Sequence, residues 1–190
     1  MKNFTLNLES IALTDKQFFQ LCQNNRELKF ERNANGDVVI ISPTGGETGN
    51  YNAGLTAQLW LWNQEHKLGK VFDSSTGFKL PNRANRSPDV SWITLERWNT
   101  LTATQRKQFI PLCPDFVIEL RSASDRLQIL QDKMKEYIEN GTRLGWLINP
   151  QSGQVGIYRQ NQDIQVLDAP QTLSGEEVLP GFILHLEQIL

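Results

Sequence analysis

An apolar strand, a helix and a second apolar strand follow one another in the second half of the chain, and this unit most constrains the fold. Asp115–Arg121 (DFVIELR) has the alternation of a strand, and Gly145–Ile148 is a second apolar strand. Between them, Ser124 or Asp125 is predicted to cap a helix that runs to Asn140. This order is typical of a crossover that lays one helix on a mixed sheet. The sequence therefore predicts an α/β domain.

The rest of the chain predicts two more helices and several strands. Thr14 opens a capping box for a short helix that runs to about Asn24, and Gly46–His66 is predicted to be a long helix. The pair Asn35-Gly36 is a strong hairpin signal. The other predicted elements are strands at Leu28–Arg32, Asp37–Ser42, Lys70–Asp73, Gly77–Leu80, Asp89–Ile93, Val155–Tyr158 and Ile164–Leu167, a polar helical stretch around Leu95–Phe109, and a final apolar segment at Ile183–Leu190.

The length of the chain limits the number of domains. At 190 residues it is long enough for one core and short for two. Because no linker or internal repeat divides it, we expect a single domain. That domain would consist of an N-terminal helical extension over residues 1–27 and a core over residues 28–190.

The composition argues against some classes of protein. No apolar run approaches the ~20 residues that span a bilayer, and the start lacks the apolar region of a signal peptide. We therefore expect a cytoplasmic protein with no membrane partner, in which Cys22 and Cys113 are reduced thiols. The net charge of −2 argues against a protein that coats nucleic acid. It does not exclude a nuclease, because carboxylates that bind a metal add negative charge.

Charged side chains share one face of the strand Asp115–Arg121. Side chains alternate along a strand, so Glu119 and Arg121 lie on one face and apolar residues on the other. A carboxylate and a base two residues apart at a strand end are typical of metal-dependent phosphodiesterases. The carboxylate binds a hard cation, and the positive charge faces the water or the phosphate. A structural ion pair or a solvated strand end is the alternative explanation.

A metal site of this kind needs a second carboxylate. Asp115 is four residues from Glu119, which separates them by roughly 13 Å along an extended strand. That distance is too long for both to bind one cation. Asp89, in the sequence SPDV, begins a separate strand that could pair beside the first. Asp89 is therefore the predicted partner of Glu119, although Ser-Pro-Asp also favours a turn.

Five segments carry a resemblance to a known family: SPDVSWI, PDFVIELRSASD, DKMKEY, GWLINP and the tail SGEEVLPGF. In this order they resemble the Uma-two family of restriction endonucleases, within the PD-(D/E)xK nuclease superfamily, from about Ile40 to Phe182. The resemblance implies a restriction-endonuclease-like mixed β-sheet flanked by helices in a single domain. It also implies hydrolysis of DNA with Mg²⁺ or Mn²⁺, and a homodimer.

The resemblance implies roles for individual residues. Asp89 matches the aspartate of the PD element and Glu119 the acidic residue of the second element, and with the Leu120 carbonyl they would hold the cation. The usual lysine position, two residues after the glutamate, is Arg121 here, which can stabilise phosphate charge but stays protonated. The lysine that would orient the attacking water or help to deprotonate it is then Lys133, on the following helix.

The helix pattern supports the choice of Lys133. The apolar stripe of this helix is formed by Leu127, Leu130, Met134, Tyr137 and Ile138. At about 100° per residue, Lys133 flanks the stripe, so its stem can lie on the core while its ammonium extends toward the sheet. Lys135 lies on the opposite flank and is the alternative. Glu47, one turn before Tyr51 on the first long helix, is either a further metal ligand or a glutamate favoured by the helix N-terminus.

A second class of function stays open at this point. A nuclease-fold protein without catalysis, acting as a binding or regulatory module, would also tolerate Arg121 and a pI of about 5.7. The two histidines have no partner motif and receive no role. The five tryptophans are predicted to lie in the core or at an interface rather than to stack on bases.

Overall fold

The computed structural model describes residues 4–8, 10–187 and 189–190. Residues 1–3 and 9 of the predicted extension, and residue 188 of the predicted final segment, lie outside the described residues. The helices are α1 (Asp15–Asn24), α2 (Gly46–His66), α3 (Leu95–Asn99) and α4 (Leu127–Glu139), with a 3₁₀ turn at Gln105–Lys107. The strands are β1 (Phe4–Leu6), β2 (Lys29–Arg32), β3 (Val38–Ile41), β4 (Gly69–Asp73), β5 (Phe78–Lys79), β6 (Asn85–Arg86), β7 (Val90–Thr94), β8 (Phe116–Leu120), β9 (Leu144–Asn149), β10 (Gln154–Arg159), β11 (Gln165–Asp168), β12 (Thr172–Ser174) and β13 (Ile183–His185).

A six-stranded mixed sheet forms the centre of the protein. Its strand order is β11-β10-β9-β8-β7-β4. β8 and β9 are parallel and are joined through α4, as the strand–helix–strand pattern predicts. The other neighbouring pairs in this sheet are antiparallel. Every residue of β8 and β9 is buried, which is typical of parallel strands covered on both faces.

The helices α2 and α4 cover opposite faces of this sheet. Leu55 and Leu59 of α2 pack in one apolar cluster with Phe116 of β8. Met134 of α4 packs in a second cluster with Val117, the next residue of the same strand. Because successive side chains of a strand point to opposite faces, the sheet is enclosed from both sides. Each apolar side chain buried in this way contributes roughly 1.5–3 kcal/mol to stability.

A second sheet, with the order β1-β3-β2-β6-β5, packs beside the first. β2 and β3 form the predicted hairpin, and Gly36 supplies the positive φ of 97° that its turn requires. α1 covers this sheet through Phe18, which is fully buried against Phe30 and Val38. The second sheet matters for function because β2 and β6 carry charged side chains toward the end of β8.

The helix α4 begins later than the sequence indicates. The predicted caps were Ser124 and Asp125, but the helix begins after Arg126, which makes no side-chain capping bond. Asp125 instead accepts hydrogen bonds from the N–H of Ser122 (2.9 Å) and from its hydroxyl (2.6 Å). The prediction was wrong here because short polar side chains can stabilise a local turn instead of a helix start.

The polar stretch predicted to be helical around Leu95–Phe109 is an α-helix only as far as Asn99. The hydroxyl of Thr102 accepts a hydrogen bond from the N–H of Gln105 (3.2 Å), and the Gln105 side chain accepts one from the N–H of Thr102 (2.8 Å). This reciprocal pair starts a separate 3₁₀ turn. The helix does not continue because such side chains compete with helical hydrogen bonding.

The two ends of the chain also differ from the prediction. The N-terminal extension contains the strand β1, which pairs with β3, in addition to the expected helix. In the described part of the final apolar segment, only Ile183–His185 is a strand, and it pairs with β12. Cys22 and Cys113 are free cysteines, as predicted. Within the described ranges, no helix is both long enough and apolar enough to cross a membrane.

Candidate active site

Asp89 lies where the start of β7 meets the end of β8. The two strands are antiparallel, with Val90 opposite Ile118, so the residue before Val90 lies beside the last residues of β8. The backbone N–H of Leu120 donates to Oδ2 of Asp89 over 2.9 Å. The register therefore brings the carboxylate of Asp89 to the strand end that also carries Glu119.

Glu119 points to the face of the sheet that α4 covers, and only 3% of it is exposed. Its Oε1 accepts a hydrogen bond from the hydroxyl of Tyr137 (2.9 Å) and forms an ion pair with Nζ of Lys133 (3.0 Å). Lys133 and Tyr137 are four residues apart, so one turn of α4 presents both side chains to the same oxygen. The helix thus supplies the cation and the hydroxyl that hold this carboxylate.

A further carboxylate reaches the same lysine from the second sheet. Nζ of Lys133 donates to Oε1 of Glu31 on β2 over 2.9 Å, and the N–H of Ser87 donates to that oxygen over 2.9 Å. Glu31 is 5% exposed. Lys133 is therefore shared between Glu31 and Glu119, and this pairing joins the two sheets.

Arg86 extends this charged network away from Glu119. Its guanidinium lies 3.3 Å from Oε2 of Glu31 and 2.5 Å from Oε2 of Glu136 on α4. It also donates to the side-chain oxygen of Asn33 over 2.9 Å. Two half-buried cations, Arg86 and Lys133, thus neutralise the buried Glu31, as a buried charge requires.

Burial acts differently on the three carboxylates. Burial raises the pKa of Glu119 to about 7, with repulsion from Asp89 and Glu31 added, although Lys133 acts in the opposite direction. Burial also raises the pKa of Asp89, despite the N–H of Leu120 and the charge of Lys133. Burial alone would raise the pKa of Glu31, but Lys133 and Arg86 outweigh it and lower that pKa to about 2. Glu31 is therefore the structural anion, whereas Asp89 and Glu119 lack full compensation for their burial.

Lys133 keeps its proton in this setting. Burial would lower its pKa, but the attraction of Glu119 and Glu31 outweighs burial and raises the pKa above its usual value. A protonated ammonium can orient a water or stabilise negative charge. It cannot accept a proton, so this arrangement does not suit the second of the two roles expected for Lys133.

A cleft opens on Asp89 from the face of the sheet that α2 covers, opposite to the face covered by α4. It has a volume of about 480 Å³ and lies between α2 and the segment that follows β4. Nδ2 of Asn52 on α2 donates to Oδ1 of Asp89 over 3.3 Å. Oδ1 of Asn52 is buried and has no hydrogen-bond partner among the described residues. An acceptor oxygen beside Asp89 is thus left without a donor.

The oxygen atoms at this strand end fit a hard divalent cation, which prefers carboxylate and carbonyl ligands. Asp89 and Glu119 offer carboxylates that lack full compensation, and Asn52 offers the unpartnered Oδ1. In a strand, the carbonyl of Leu120 points to the same edge as its N–H, toward Asp89. If the β7–β8 register continued, Pro88 would face Leu120, and proline has no N–H to donate to that carbonyl.

Acidic side chains alone do not complete a ligand set. In the part of the chain that the structure describes, no three Asp, Glu, His or Cys side chains form a group that could hold a metal ion. Main-chain and amide oxygens would therefore have to supply the remaining ligands. Mg²⁺ in proteins commonly has few carboxylate ligands and keeps several waters, so two carboxylates are consistent with it.

Two of the predicted site residues have other partners. Glu47 is exposed, and its Oε1 accepts a hydrogen bond from the hydroxyl of Tyr51 over 3.1 Å. Nε of Arg121 donates to the backbone carbonyl of Asp125 (3.2 Å), and its NH1 donates to Oδ1 of Asn149 (3.3 Å). Arg121 thus lies just beyond the end of β8, whereas Glu47 makes no described contact with Asp89 or Glu119.

Asp115 and Lys135, the other candidates in the sequence, lie away from Asp89 and Glu119. Asp115 is buried at the other end of β8, where it pairs with Arg97 (2.8 Å) and accepts from the N–H of Thr94 (2.9 Å). Lys135, the alternative to Lys133, is exposed on α4. The structure therefore brings together Asp89, Glu119 and Lys133, and separates them from Asp115.

Glu31, Arg86 and Asn52 belong to the site but do not stand out in the sequence. Phe30 points into the core of the second sheet, and strand alternation then places Glu31 on the other face, where a glutamate is normally solvated. That face is covered by β6 and α4, whose contacting residues lie 55 and 102 positions away in sequence from Glu31, respectively. A sequence pattern over a few residues cannot predict a contact at such a separation.

Comparisons with known proteins agree with this fold. The crystal structure of a "putative nuclease belonging to DUF820" from Anabaena variabilis matches with a TM-score of 0.76 and 18% identity, over 93% of this chain and 96% of that chain. At this identity the match shows the shared fold alone. No curated protein matches the chain in sequence.

A family model gives the more specific result. The model of the Uma2 family, described as "Putative restriction endonuclease", matches residues 15–187. This range includes every residue of the charged network described above, from Glu31 to Tyr137. The resemblance inferred from the five short segments is thereby confirmed, and the chain belongs to the Uma2 family.

Proposed function

We propose that this protein is an endonuclease that hydrolyses phosphodiester bonds in DNA with Mg²⁺ or Mn²⁺. The observation that carries the proposal is the convergence of Asp89 and Glu119 at one strand end, with Lys133 bound to Glu119. The nuclease description of the Uma2 family and of the Anabaena protein supports the reaction class. Two incompletely compensated carboxylates beside a lysine suit the hydrolysis of a charged phosphodiester.

Asp89, Glu119 and the Leu120 carbonyl would hold the cation, with Oδ1 of Asn52 beside them. When bound, the cation supplies charge stabilisation for the phosphate and lowers the pKa of the attacking water. We do not include Glu47 in this set, because it is exposed and bonded to Tyr51. Asp89 is held in place by two donors, the N–H of Leu120 and the side chain of Asn52.

Lys133 would act as a fixed ammonium. Glu31 and Glu119 hold its Nζ at 2.9 and 3.0 Å, so its position does not depend on substrate. It would orient the water and stabilise negative charge that develops at the phosphate. Arg121, charged at every relevant pH, would add positive charge beside the phosphate from the end of β8.

A symmetric homodimer follows from the proposed substrate. One chain contributes one site, and a duplex has two strands of opposite direction. Two sites related by a two-fold axis would therefore cut both strands. Light scattering on the purified protein tests this part, and a mass close to one chain of 21.7 kDa would contradict it.

A second function is favoured by one observation. Lys133, the cation paired with Glu119, is also paired with Glu31, and Arg86 shares Glu31 with it. A site whose lysine is already held between two carboxylates would also suit a nuclease-fold protein that binds a partner without cleaving DNA. Such a protein would bind DNA or another partner, but would release no nicked product.

Plasmid cleavage separates the two functions. Supercoiled plasmid is incubated with the protein and Mn²⁺, with Mn²⁺ replaced by EDTA, and with the variants Glu119→Gln and Lys133→Met. The matched controls are Glu139→Gln and Lys135→Met, which change exposed residues of α4, the helix that carries Lys133. We expect metal-dependent nicking that both site variants lose by about 100-fold or more and that both controls keep.

Each other outcome has a definite meaning. Cutting in EDTA, or cutting that Glu119→Gln leaves intact, contradicts the proposed site. No cutting by any folded form of the protein, on plasmids of several sequences, favours the module without catalysis.

A further inference from the structure

Lys29 lies at the site although no motif points to it. It is the first residue of β2, and it shares a strand face with Glu31, two residues later. Its Nζ donates to the backbone carbonyl of Ser87 over 3.5 Å. Ser87 is two residues before Asp89, so the ammonium of Lys29 lies beside the segment that carries the candidate metal ligand. The side chain is half-buried and reaches solvent.

Lys29 differs from the other cations at the site in its partners. Lys133 and Arg86 are each paired with two carboxylates. Arg121 is bonded to a backbone carbonyl and to Asn149. Lys29 forms no ion pair with the described carboxylates, and its one described hydrogen bond is long and goes to a neutral carbonyl. It is thus a positive charge that keeps donors available for an anion.

Two lysines reach the end of the sheet that carries Asp89. Lys133 reaches this strand end from α4, and Lys29 reaches Ser87, two residues before Asp89, from β2. A phosphate bound beside Ser87 would contact the half-buried Lys29 without breaking an existing ion pair.

We propose that Lys29 binds a phosphate of the DNA backbone next to the bond that is cut. This inference rests on the proposed nuclease function and assigns a binding residue to it. The contact goes to phosphate oxygens and not to bases, so it contributes affinity without sequence preference. A lysine suits this task because its ammonium is a compact charge with three donors on a flexible stem.

A purely structural role for Lys29 is the alternative. In that case the ammonium only holds the Ser87 carbonyl and thereby fixes β2 beside Asp89. The two roles differ in one measurable quantity, the salt dependence of DNA binding. The slope of log K against log salt is negative, and loss of one phosphate contact reduces its magnitude by about 0.9 on duplex DNA, whereas loss of a structural bond does not.

The test is a fluorescence-anisotropy titration of a labelled 20-base-pair duplex at several KCl concentrations. It is run in EDTA and again with Ca²⁺, on the wild type and on Lys29→Gln, Lys29→Arg and Lys107→Gln. Lys107 is an exposed lysine in the 3₁₀ turn after α3, near the end of β7 that is remote from Asp89. Thermal unfolding shows which variants are folded, and Lys29→Met replaces Lys29→Gln if the latter is not.

We expect Lys29→Gln to weaken DNA binding about tenfold and to reduce the magnitude of the salt slope by about 0.9. Both effects should be equal on duplexes of unrelated sequence. Lys29→Arg and Lys107→Gln should keep the slope of the wild type. A wild-type slope in folded Lys29→Gln overturns the inference about Lys29 and leaves the proposed nuclease function standing. If the wild type binds DNA neither in EDTA nor with Ca²⁺, both the inference and the proposed function fail.

Discussion

Oδ2 of Asp89 lies 2.9 Å from the backbone nitrogen of Leu120 and accepts its hydrogen bond. The side chain thereby occupies the position that a main-chain carbonyl would have if β7 continued toward Pro88. A carboxylate held by the backbone of the neighbouring strand has little freedom to rotate. It is also half-buried, and this burial raises its pKa.

This placement predicts that replacing Asp89 raises stability and abolishes activity. Asp89→Asn keeps an oxygen for the N–H of Leu120 but removes a buried negative charge. We expect the free energy of unfolding of the metal-free protein at pH 7 to rise by about 1 kcal/mol, while plasmid cleavage is lost. Urea denaturation measures the first effect and a nicking assay the second. An Asp89→Asn protein that cuts like the wild type would rule out Asp89 as a ligand.

Metal binding should depend on pH through Glu119. A metal ligand must be deprotonated, and burial raises the pKa of Glu119 to about 7. The carboxylate is therefore mostly protonated at pH 6 and mostly ionised at pH 8, so we expect the affinity for Mn²⁺ to rise roughly tenfold between them. Isothermal titration calorimetry at the two pH values measures this. Glu119→Gln should bind weakly and show a smaller change with pH.

Glu31 should matter for stability more than for metal binding. Attraction by Lys133 and Arg86 outweighs the effect of burial and lowers its pKa to about 2, below the unfolded-state value. Its contribution is therefore present above about pH 4.5 and is lost as the pH falls toward 2. We expect Glu31→Gln to lower the free energy of unfolding at pH 7 by about 3 kcal/mol. The effect should shrink at acid pH.

Urea denaturation from pH 7 down to pH 3 follows the Glu31 contribution. Glu139→Gln is the control, because Glu139 is an exposed glutamate on α4. A loss of stability in Glu31→Gln that stays constant over this range would show that the ion pairs with Lys133 and Arg86 are not its cause.

Tyr137 should act as a positioning residue for Glu119. Its hydroxyl donates to Oε1 of Glu119 over 2.9 Å, and a donor to a carboxylate favours the charged form. Tyr137→Phe should cost about 1–2 kcal/mol of stability and move the midpoint of Mn²⁺ binding to higher pH. Tyr158→Phe, a change at another buried tyrosine of the same apolar cluster, should leave that midpoint in place. Equal midpoints in the two variants would exclude the positioning role.

The local pattern of the chain predicts much of the fold. The unit from β8 through α4 to β9, the β2–β3 hairpin and the helix α2 were all expected, because each depends on alternation, periodicity or a turn signal within a few residues. The cap of α4 and the extent of α3 were predicted wrongly. In both places polar side chains make local hydrogen bonds that compete with helix formation.

The site divides in the same way. The position of Asp89 relative to Glu119 depends on strand register, which the structure supplies. The sequence indicates only that the two strands could pair. Lys133 was expected from the family resemblance, and the helical period supports it but leaves Lys135 as an alternative. Glu31 and Asn52 could not be predicted, because their roles arise where a second sheet and a second helix pack on the strand end. Packing between elements that are distant in sequence produces no pattern over a few residues from which it could be predicted.

The ion pair of Glu31 with Lys133 joins residues that are 102 positions apart. Contacts of such long sequence separation form only after both partners exist and the chain between them has been closed into a loop. A nascent chain therefore has no complete site until α4 has emerged and docked. Partial unfolding of the β2–β3 hairpin would remove Glu31 from Lys133 and leave the lysine paired with Glu119 alone. Any cleavage of nucleic acid is in this way restricted to fully folded molecules, and hydrogen exchange at β2 should report the same opening as loss of activity.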